Sequence, residues 1–335
     1  MKKVLVIGGT GAMGAYLVPL LVEKGCNVDV VSIDKGFKDT ENIKYICANA
    51  FDIDTMTEMM KNGYDGVVDF LIYPNAKSFE ERYEIYLKNT KHYILLSSYR
   101  VYADTEGAIT EETSRLLDVC NDEEFLASDD YSLVKARQED IVKNSEYENY
   151  TIIRPAITYS HTKFQLVSCE ADTVVQRTFE GKKVLLPKEV MDKQTTMTWA
   201  GDVAKMISLL LFNEKAYGET YTTATSEHIT WEFVKKCYEK FIGLEAELTD
   251  WQTFVKVLAG GEAFEKNEMW KIKYDRLYNR RVDNSKILEV TGLKQEDLMP
   301  FEKGLEKELS KTPRNMKWDI HHATERMDEY FDDQK

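Results

Sequence analysis

Short runs of β-branched and other apolar residues alternate with stretches of helical periodicity along the first half of the chain. The apolar runs predict buried strands at 3–7, 28–31, 45–47, 67–71, 93–96 and 151–153. The helical spacing predicts helices after residue 14 and at 55–61, 79–87 and 131–143. Parallel strands that are buried on both faces need crossover helices between them. The pattern therefore predicts an α/β fold with a doubly wound parallel sheet.

The pattern changes after Pro155. Longer helical segments rich in aromatic residues follow, with turn signals at Gly243, Gly260-Gly261 and Gly292. No internal repeat or Pro/Gly/Ser-rich linker separates the two parts of the chain. We expect a smaller, mostly helical C-terminal domain that shares an interface and a cleft with the sheet.

Composition and charge narrow the class of protein. The 335 residues include 44 Lys+Arg and 58 Asp+Glu, a net charge of −14, which disfavours nucleic acid and anionic lipid as partners. No apolar run approaches the ~20 residues of a membrane span. The 5 cysteines are scattered and odd in number, which is typical of reduced thiols. These features predict a soluble, cytoplasmic protein.

A glycine-rich segment, Gly8-Gly9-Thr10-Gly11-Ala12-Met13-Gly14, lies between the first predicted strand and the first predicted helix. At such a turn, backbone N–H groups and the positive end of the helix meet the pyrophosphate of a dinucleotide. Glycine permits the tight turn, the close approach of the phosphates and the packing of helix on strand. The segment predicts a dinucleotide site.

A second candidate site combines Tyr131 and Lys135 with Ser98. The spacing of four residues places Tyr131 and Lys135 on one face of a helix. A tyrosine has an ordinary pKa near 10, and it becomes a base at neutral pH when nearby positive charge stabilises its phenolate. Ser98 follows a predicted strand and would donate a hydrogen bond to the reacting oxygen of a substrate. The arrangement predicts proton transfer coupled to hydride transfer.

Five segments occur in a familiar order along residues 1 to about 225. They are the Gly8/Gly11/Gly14 spacing, 97–102 (Ser-Ser-Tyr-Arg-Val-Tyr), Tyr131 with Lys135, Arg154-Pro155 and Asp202-Val203-Ala204. Together they resemble the extended short-chain dehydrogenase/reductase superfamily, and within it the NAD-dependent epimerase/dehydratase family. The resemblance implies a Rossmann-type sheet, catalytic Ser98, Tyr131 and Lys135, and a homodimer joined through 79–87 and 131–143. It also implies a dinucleotide-binding domain of residues 1–157 with a return at about 196–225, and a substrate domain of 158–195 and 226–335.

The resemblance also implies the residues that bind the cofactor. They are Gly8, Thr10, Gly11, Ala12, Met13, Gly14, Ser32, Asp34, Lys35, Asn49, Ala50, Leu71, Ser97, Tyr131, Lys135 and Pro155. An aspartate that accepts both ribose hydroxyls selects NAD, whereas Ser32 with Lys35 would tolerate the 2′-phosphate of NADP. Asp34 therefore favours NAD as the cofactor, and NADP remains an alternative.

Several positions depart from the family pattern. Sugar 4,6-dehydratases carry an Asp-Glu pair where this chain has Tyr99 and Arg100, which disfavours dehydration. Nucleotide-sugar epimerases commonly have an arginine where Thr195 stands. A nucleotide-sugar substrate therefore stays open beside other sugars. The candidate substrate contacts are Tyr99, Arg100, Ile157 and Arg281, and Arg280 offers a further phosphate ligand or a surface charge.

Three functions remain open on the sequence. The first is an NAD(P)-dependent epimerase of a sugar or nucleotide sugar that acts through a transient keto intermediate. The second is a net dehydrogenase or ketone reductase, and the third is a non-catalytic cofactor-binding or RNA-binding scaffold. The five histidines, with His321-His322 expected at the surface, lack metal-ligand spacing, so we expect no metal.

Overall fold

The computed structural model describes residues 1–318 and 323–334, without the side chains of 262–264. His321-His322 lies outside the described residues.

The strands form one large sheet and several short pairs. Numbered along the chain, they are β1 (Lys2–Ile7), β2 (Cys26–Ser32), β3 (Ile43–Cys47), β4 (Tyr64–Asp69), β5 (Thr90–Leu96), β6 (Tyr150–Ile153), β7 (Ile157–Tyr159), β8 (Gln165–Leu166), β9 (Cys169–Glu170), β10 (Val184–Pro187), β11 (Gln194–Thr195), β12 (Met197–Trp199), β13 (Glu219–Tyr221), β14 (Ile229–Thr230) and β15 (Ala246–Thr249). Seven of them make a parallel sheet in the order β13-β6-β5-β4-β1-β2-β3. The predicted doubly wound, Rossmann-type sheet is confirmed.

Helices cover both faces of this sheet and build most of the C-terminal part. They are α1 (Gly14–Glu23), α2 (Ile53–Met60), α3 (Ala76–Glu80), α4 (Tyr83–Leu87), α5 (Leu116–Val119), α6 (Glu123–Leu126), α7 (Tyr131–Lys143), α8 (Arg177–Phe179), α9 (Ala200–Leu210), α10 (Trp231–Ile242), α11 (Trp251–Ala259), α12 (Glu262–Lys271), α13 (Ser285–Thr291), α14 (Phe301–Ser310) and α15 (Ala323–Asp332). No helix of the described part of the chain is long and apolar enough to cross a membrane.

Several predicted elements begin or end one to three residues away from those of the structure, and two differ further. The strand expected at 67–71 begins earlier, at Tyr64, and ends at Asp69. The helix expected at 79–87 is two helices, α3 and α4, because Arg82 leaves helical geometry and is buried, where its guanidinium donates to the Phe51 carbonyl. The tertiary contact of this arginine outweighs the local helical pattern.

The sheet separates two apolar cores. Side chains alternate along β1, so that Val4 and Val6 pack with α1 and α9, whereas Leu5 and Ile7 pack on the opposite face with α2 and α4. Strands that are apolar on both sides read as continuous runs in the sequence. This burial fixes the carboxyl ends of β1, β4 and β5 beside one another.

The largest core belongs mostly to the chain after β6. It joins the short strands β7 to β12 and the helices α10, α11 and α14, and it includes Trp231, Tyr238 and Phe301. The region is mostly helical, as expected. The domain boundaries given above stay a prediction.

Candidate active site

The glycine-rich turn connects the carboxyl end of β1 to α1. Gly8 adopts a positive φ of 70°, and its amide donates to the Val31 carbonyl at 2.8 Å. A Cβ at Gly14 would overlap the backbone of Gly9, so helix and turn can pack this closely only with glycine there. The N-terminus of α1 has no side-chain cap and no acidic residue in its first turn. The positive end of the helix dipole fits a pyrophosphate.

A cluster of polar side chains lies beside the turn. The Thr10 hydroxyl donates to Asp34 Oδ2 at 2.5 Å and contacts the Ser32 hydroxyl at 2.7 Å. A cavity of about 130 Å³ opens there, and Lys35 also lines it. This side of the turn therefore brings Thr10, Ser32, Asp34 and Lys35 together, as the sequence predicted. The carboxylate can accept from ribose hydroxyls at the end of β2.

The far wall of this small cavity was missed by the sequence reasoning. It consists of Phe37 and Tyr45, whose rings stack at 5.0 Å, together with Cys47. Asn49 and Ala50, expected near an adenine, do not line it. The Asn49 side chain accepts from the Phe51 amide, and Ala50 is buried in the core.

A larger cavity of about 400 Å³ joins the glycine turn to Ser98 and Tyr131, whereas the predicted site residues Lys135 and Leu71 do not line it. Its lining includes Gly8, Gly11, Ala12, Met13, Gly14, Ser97, Ser98, Tyr99, Arg100, Tyr131, Pro155 and Ile157. These residues come from the carboxyl ends of parallel strands, where ligands bind in open α/β sheets. Most of the predicted catalytic and substrate residues, and about half of the predicted cofactor residues, thus line one cavity.

Ser98 and Tyr131 are positioned by two short-range caps. Ser98 follows β5 and accepts from the Arg100 amide at 3.2 Å. Tyr131 begins α7, and Asp130 caps that helix by accepting from the Ser132 amide at 2.8 Å. Burial raises the pKa of Tyr131 above its ordinary value, while the Arg100 charge and the Ser98 hydroxyl oppose the rise.

Lys135 lies one helical turn after Tyr131 and is almost fully buried. Its Nζ donates to the carbonyl oxygens of Leu96 at 2.6 Å and Leu71 at 3.2 Å, and stands 5.9 Å from the centre of the Tyr131 ring. Burial lowers the pKa of Lys135 to about 8. The guanidinium of Arg100 is slightly closer to the same ring, at 5.5 Å. The Arg100 charge therefore acts on the phenol from a position as close as that of Lys135.

A buried ion pair connects α7 to the strand ends. Arg154 binds both carboxylate oxygens of Glu139, at 2.8 and 2.6 Å, and Ser97 donates to the same carboxylate. The pKa of Glu139 is lowered, since the Arg154 charge and these hydrogen bonds outweigh burial. The pair positions Ser97 next to Ser98, and the Arg-Pro segment was its signal in the sequence.

Not every predicted substrate residue reaches the cavity. Arg281 is turned away and donates to the Glu106 carbonyl, so it does not line the site. Its neighbour Arg280 is fully buried and bonded to Asp275, so the surface pair that the sequence left open is not formed. Lys271 and Arg276 line the cavity instead. No motif marked them, because long-range packing brings them there.

The parallel sheet, the glycine turn and the Tyr131/Lys135 helix define an extended short-chain dehydrogenase/reductase. Residues 4–224 match the NAD dependent epimerase/dehydratase family, and the chain belongs to that family. The match covers the sheet, the turn and α7, and ends just after β13.

Solved structures share the fold over most of the chain. UDP-glucuronic acid 4-epimerase from Bacillus cereus, in complex with UDP-glucuronic acid and NAD, is 15% identical with a TM-score of 0.68, over 92% of this chain and 98% of that one. dTDP-glucose 4,6-dehydratase from Bacillus anthracis, in complex with NAD, is 16% identical with a TM-score of 0.69, over 92% and 96%. WbmH from Bordetella bronchiseptica, in complex with NAD⁺, is 15% identical with a TM-score of 0.69, over 92% and 97%. No curated protein matches the sequence.

Proposed function

We propose that the chain is an NAD-dependent epimerase of a sugar or nucleotide sugar that acts through a transient keto intermediate. The observation that carries the proposal is the single cavity that contains both the glycine turn and the side chains of Ser98 and Tyr131. Family membership and neighbours solved with NAD and nucleotide sugars support it.

The residues present fit NAD, since the uncapped start of α1 suits a pyrophosphate and Asp34 suits a ribose. When bound, NAD would supply the hydride acceptor and donor for the reacting sugar carbon. Tyr131 would remove the proton from the hydroxyl oxygen on that carbon and later return it. Ser98 donates a hydrogen bond to the same oxygen. Lys135 holds the end of β5 and the segment after β4 in place and would bind the nicotinamide ribose.

Epimerisation requires that the keto sugar turn and receive the hydride on its other face. Loss of water from the ring is disfavoured, because Tyr99 and Arg100 stand where dehydratases of the family have an acid pair. Arg100 is a permanent cation and cannot serve as the acid or base of an elimination.

We also propose a cytoplasmic homodimer and the two-domain division given above. The dimer would pair α4 and α7 of each subunit, with α3 packed beside α7. Light scattering on the purified protein measures the subunit number, and a mass equal to one chain would contradict the dimer.

The test uses the purified protein and needs no added cofactor at first. Acid release followed by mass spectrometry should find NAD bound to the chain. Incubation with UDP-glucose, UDP-galactose and UDP-glucuronic acid should give the epimeric sugar by NMR, with no net change in nicotinamide absorbance. Stoichiometric consumption of NADH would instead indicate a reductase. A chain that holds NAD but turns over no substrate would indicate a scaffold.

A further inference from the structure

The active-site cavity is positively charged although the whole chain carries a net charge of −14. Of the described residues that line it, four are cations, namely Arg100, Lys163, Lys271 and Arg276, and one, Glu170, is an acid. Such a local reversal of sign attracts and retains anions.

Three arginines share one buried carboxylate at the back of this cavity. Asp275 Oδ1 accepts from Arg280 Nε at 2.7 Å, and its Oδ2 accepts from Arg276. The Nε of Arg100 stands 3.9 Å from the same Oδ2. One carboxylate cannot neutralise three guanidinium groups, and buried charge without a partner is costly.

Nearby acids do not complete the balance. Asp130 Oδ2 accepts from Arg100 Nη2 at 3.5 Å and so offsets one of the three charges. Asp104 acts on Arg280 from an exposed position. Lys271, on the cavity wall, has Glu268 at 3.5 Å. When the cavity lysines Lys163 and Lys271 are included, five cations face the four acids Asp130, Glu170, Glu268 and Asp275, so a small excess of positive charge remains next to the catalytic tyrosine.

Arg100 is the arginine that remains available for a ligand. Arg280 is bonded to the carbonyls of Tyr102 and Tyr274, and Arg276 Nε donates to the Val167 carbonyl at 2.9 Å. The buried Nε of Arg100 has no hydrogen-bond partner. The side chain lines the cavity, with its guanidinium 5.5 Å from the Tyr131 ring.

We propose that Arg100 binds an anionic group of the substrate, a carboxylate or a phosphate, within about one sugar ring of the reacting hydroxyl. Arg276 and Lys271 add positive charge beside it. The substrate is then a sugar acid or a phosphorylated sugar. This inference rests on the proposed function, and it names the chemistry that the same cavity recognises.

The test is calorimetric binding to the NAD-loaded protein. The probes are UDP-glucuronic acid, UDP-glucose, UDP, glucuronic acid and glucose 6-phosphate, with glucose as the uncharged reference. Arg100→Gln removes the charge, Arg100→Lys keeps it, and Arg314→Gln removes an exposed arginine outside the cavity as the matched control. Thermal melting of each variant checks that it folds.

We expect Arg100→Gln to weaken binding of the anionic probe by about 10- to 100-fold, as for the loss of a charge-assisted hydrogen bond. Arg100→Lys should restore part of the affinity. If the sugar acid is the source, UDP-glucuronic acid and glucuronic acid lose affinity while UDP-glucose does not. If phosphate is the source, UDP, UDP-glucose and glucose 6-phosphate lose affinity together.

Two results would overturn the inference. One is an Arg100→Gln protein that binds every anionic probe as the Arg314→Gln control does. The other is a folded wild-type protein that binds no anionic probe more tightly than glucose. Both are read from binding and not from turnover. Failure of the proposed function would appear separately, as a chain without NAD or without an epimerised product.

Discussion

The Lys135 ammonium group donates to the carbonyl oxygen of Leu96 at 2.6 Å and so joins α7 to the carboxyl end of β5. A second bond, to the Leu71 carbonyl, reaches the segment after β4. A lysine buried in this way pays desolvation, which lowers its pKa to about 8. The Lys135 side chain holds the end of β5 and the segment after β4 together. Its burial lowers the free energy of unfolding by an amount that depends on pH.

Replacement of Lys135 by methionine should reveal that cost. The folded protein binds the proton of Lys135 less tightly than the unfolded chain does, so the cost is present below pH 8 and is relieved between about pH 8 and 10.5. Relative to Lys135→Met, the wild-type protein should gain about 2 kcal/mol of unfolding free energy from pH 7 to about pH 9.5. Urea unfolding at both pH values measures it. The exposed Lys188→Met should show no such trend, and a flat difference for Lys135→Met would contradict the buried ammonium.

Tyr131→Phe removes the hydroxyl that we assign to proton transfer. Turnover should fall by about 10²- to 10⁴-fold, the usual contribution of a positioned acid–base group, while bound NAD stays at the wild-type level. Steady-state rates and the NAD content of the purified variant measure the two effects. Tyr217→Phe, which removes a tyrosine hydroxyl outside the cavity, is the control. Full activity in Tyr131→Phe would refute the assignment.

Arg100→Gln should also change the pH dependence of catalysis. Tyr131 acts as a base when it is deprotonated, and the Arg100 charge opposes the rise of its pKa that burial causes. Without the guanidinium, the rising limb of kcat/KM should move to higher pH. Arg100→Lys keeps a positive charge and should shift the rising limb of kcat/KM by less. An unmoved limb in Arg100→Gln would show that Lys135 and the cofactor alone set this pKa.

Asp34→Asn tests the choice between NAD and NADP. The carboxylate, held by Thr10 at 2.5 Å, would repel the 2′-phosphate of NADP and accept the ribose hydroxyls of NAD. We expect the preference of the apoprotein for NAD to shrink by about tenfold or more, the equivalent of about 1.4 kcal/mol. Fluorescence titration with both cofactors measures it, with the exposed Asp54→Asn as control. An unchanged ratio of the NAD and NADP affinities would show that another residue, for example Lys35, sets the choice of cofactor.

Gly14→Ala tests the contact between the turn and α1. The added methyl group would overlap the Gly9 backbone, so helix and turn must separate. The variant should lose about 1–3 kcal/mol of stability, as overpacked sites do, and should bind NAD poorly. Gly107→Ala is the matched control, since its methyl group would meet the Thr105 hydroxyl only at 4.0 Å. Normal NAD binding by Gly14→Ala would contradict the close packing.

Local patterns predicted the central parts of the molecule. The strands β1 to β6 follow from apolar runs, and the placement of Ser98 and Tyr131 in one cavity follows from strand ends and helix spacing. Contacts over long sequence distances were not accessible in this way. The helix break at Arg82 depends on Phe51, and the cations Lys271 and Arg276 reach the cavity from α12 and the π-helical segment that continues it. The Phe37/Tyr45 wall combines a loop residue with a residue of β3, and no motif marks either of them.

The cavity takes its lining from both ends of the chain, with the glycine turn at residues 8–14 and Arg276 far beyond the last strand of the sheet. During synthesis the ribosome releases these parts in order. A nascent chain that has passed Tyr221 already contains all seven strands and the dinucleotide turn, yet still lacks Lys271 and Arg276. The sheet and the glycine turn can thus be assembled first, and the cations of the cavity wall join them only after residues 271–276 have been synthesised.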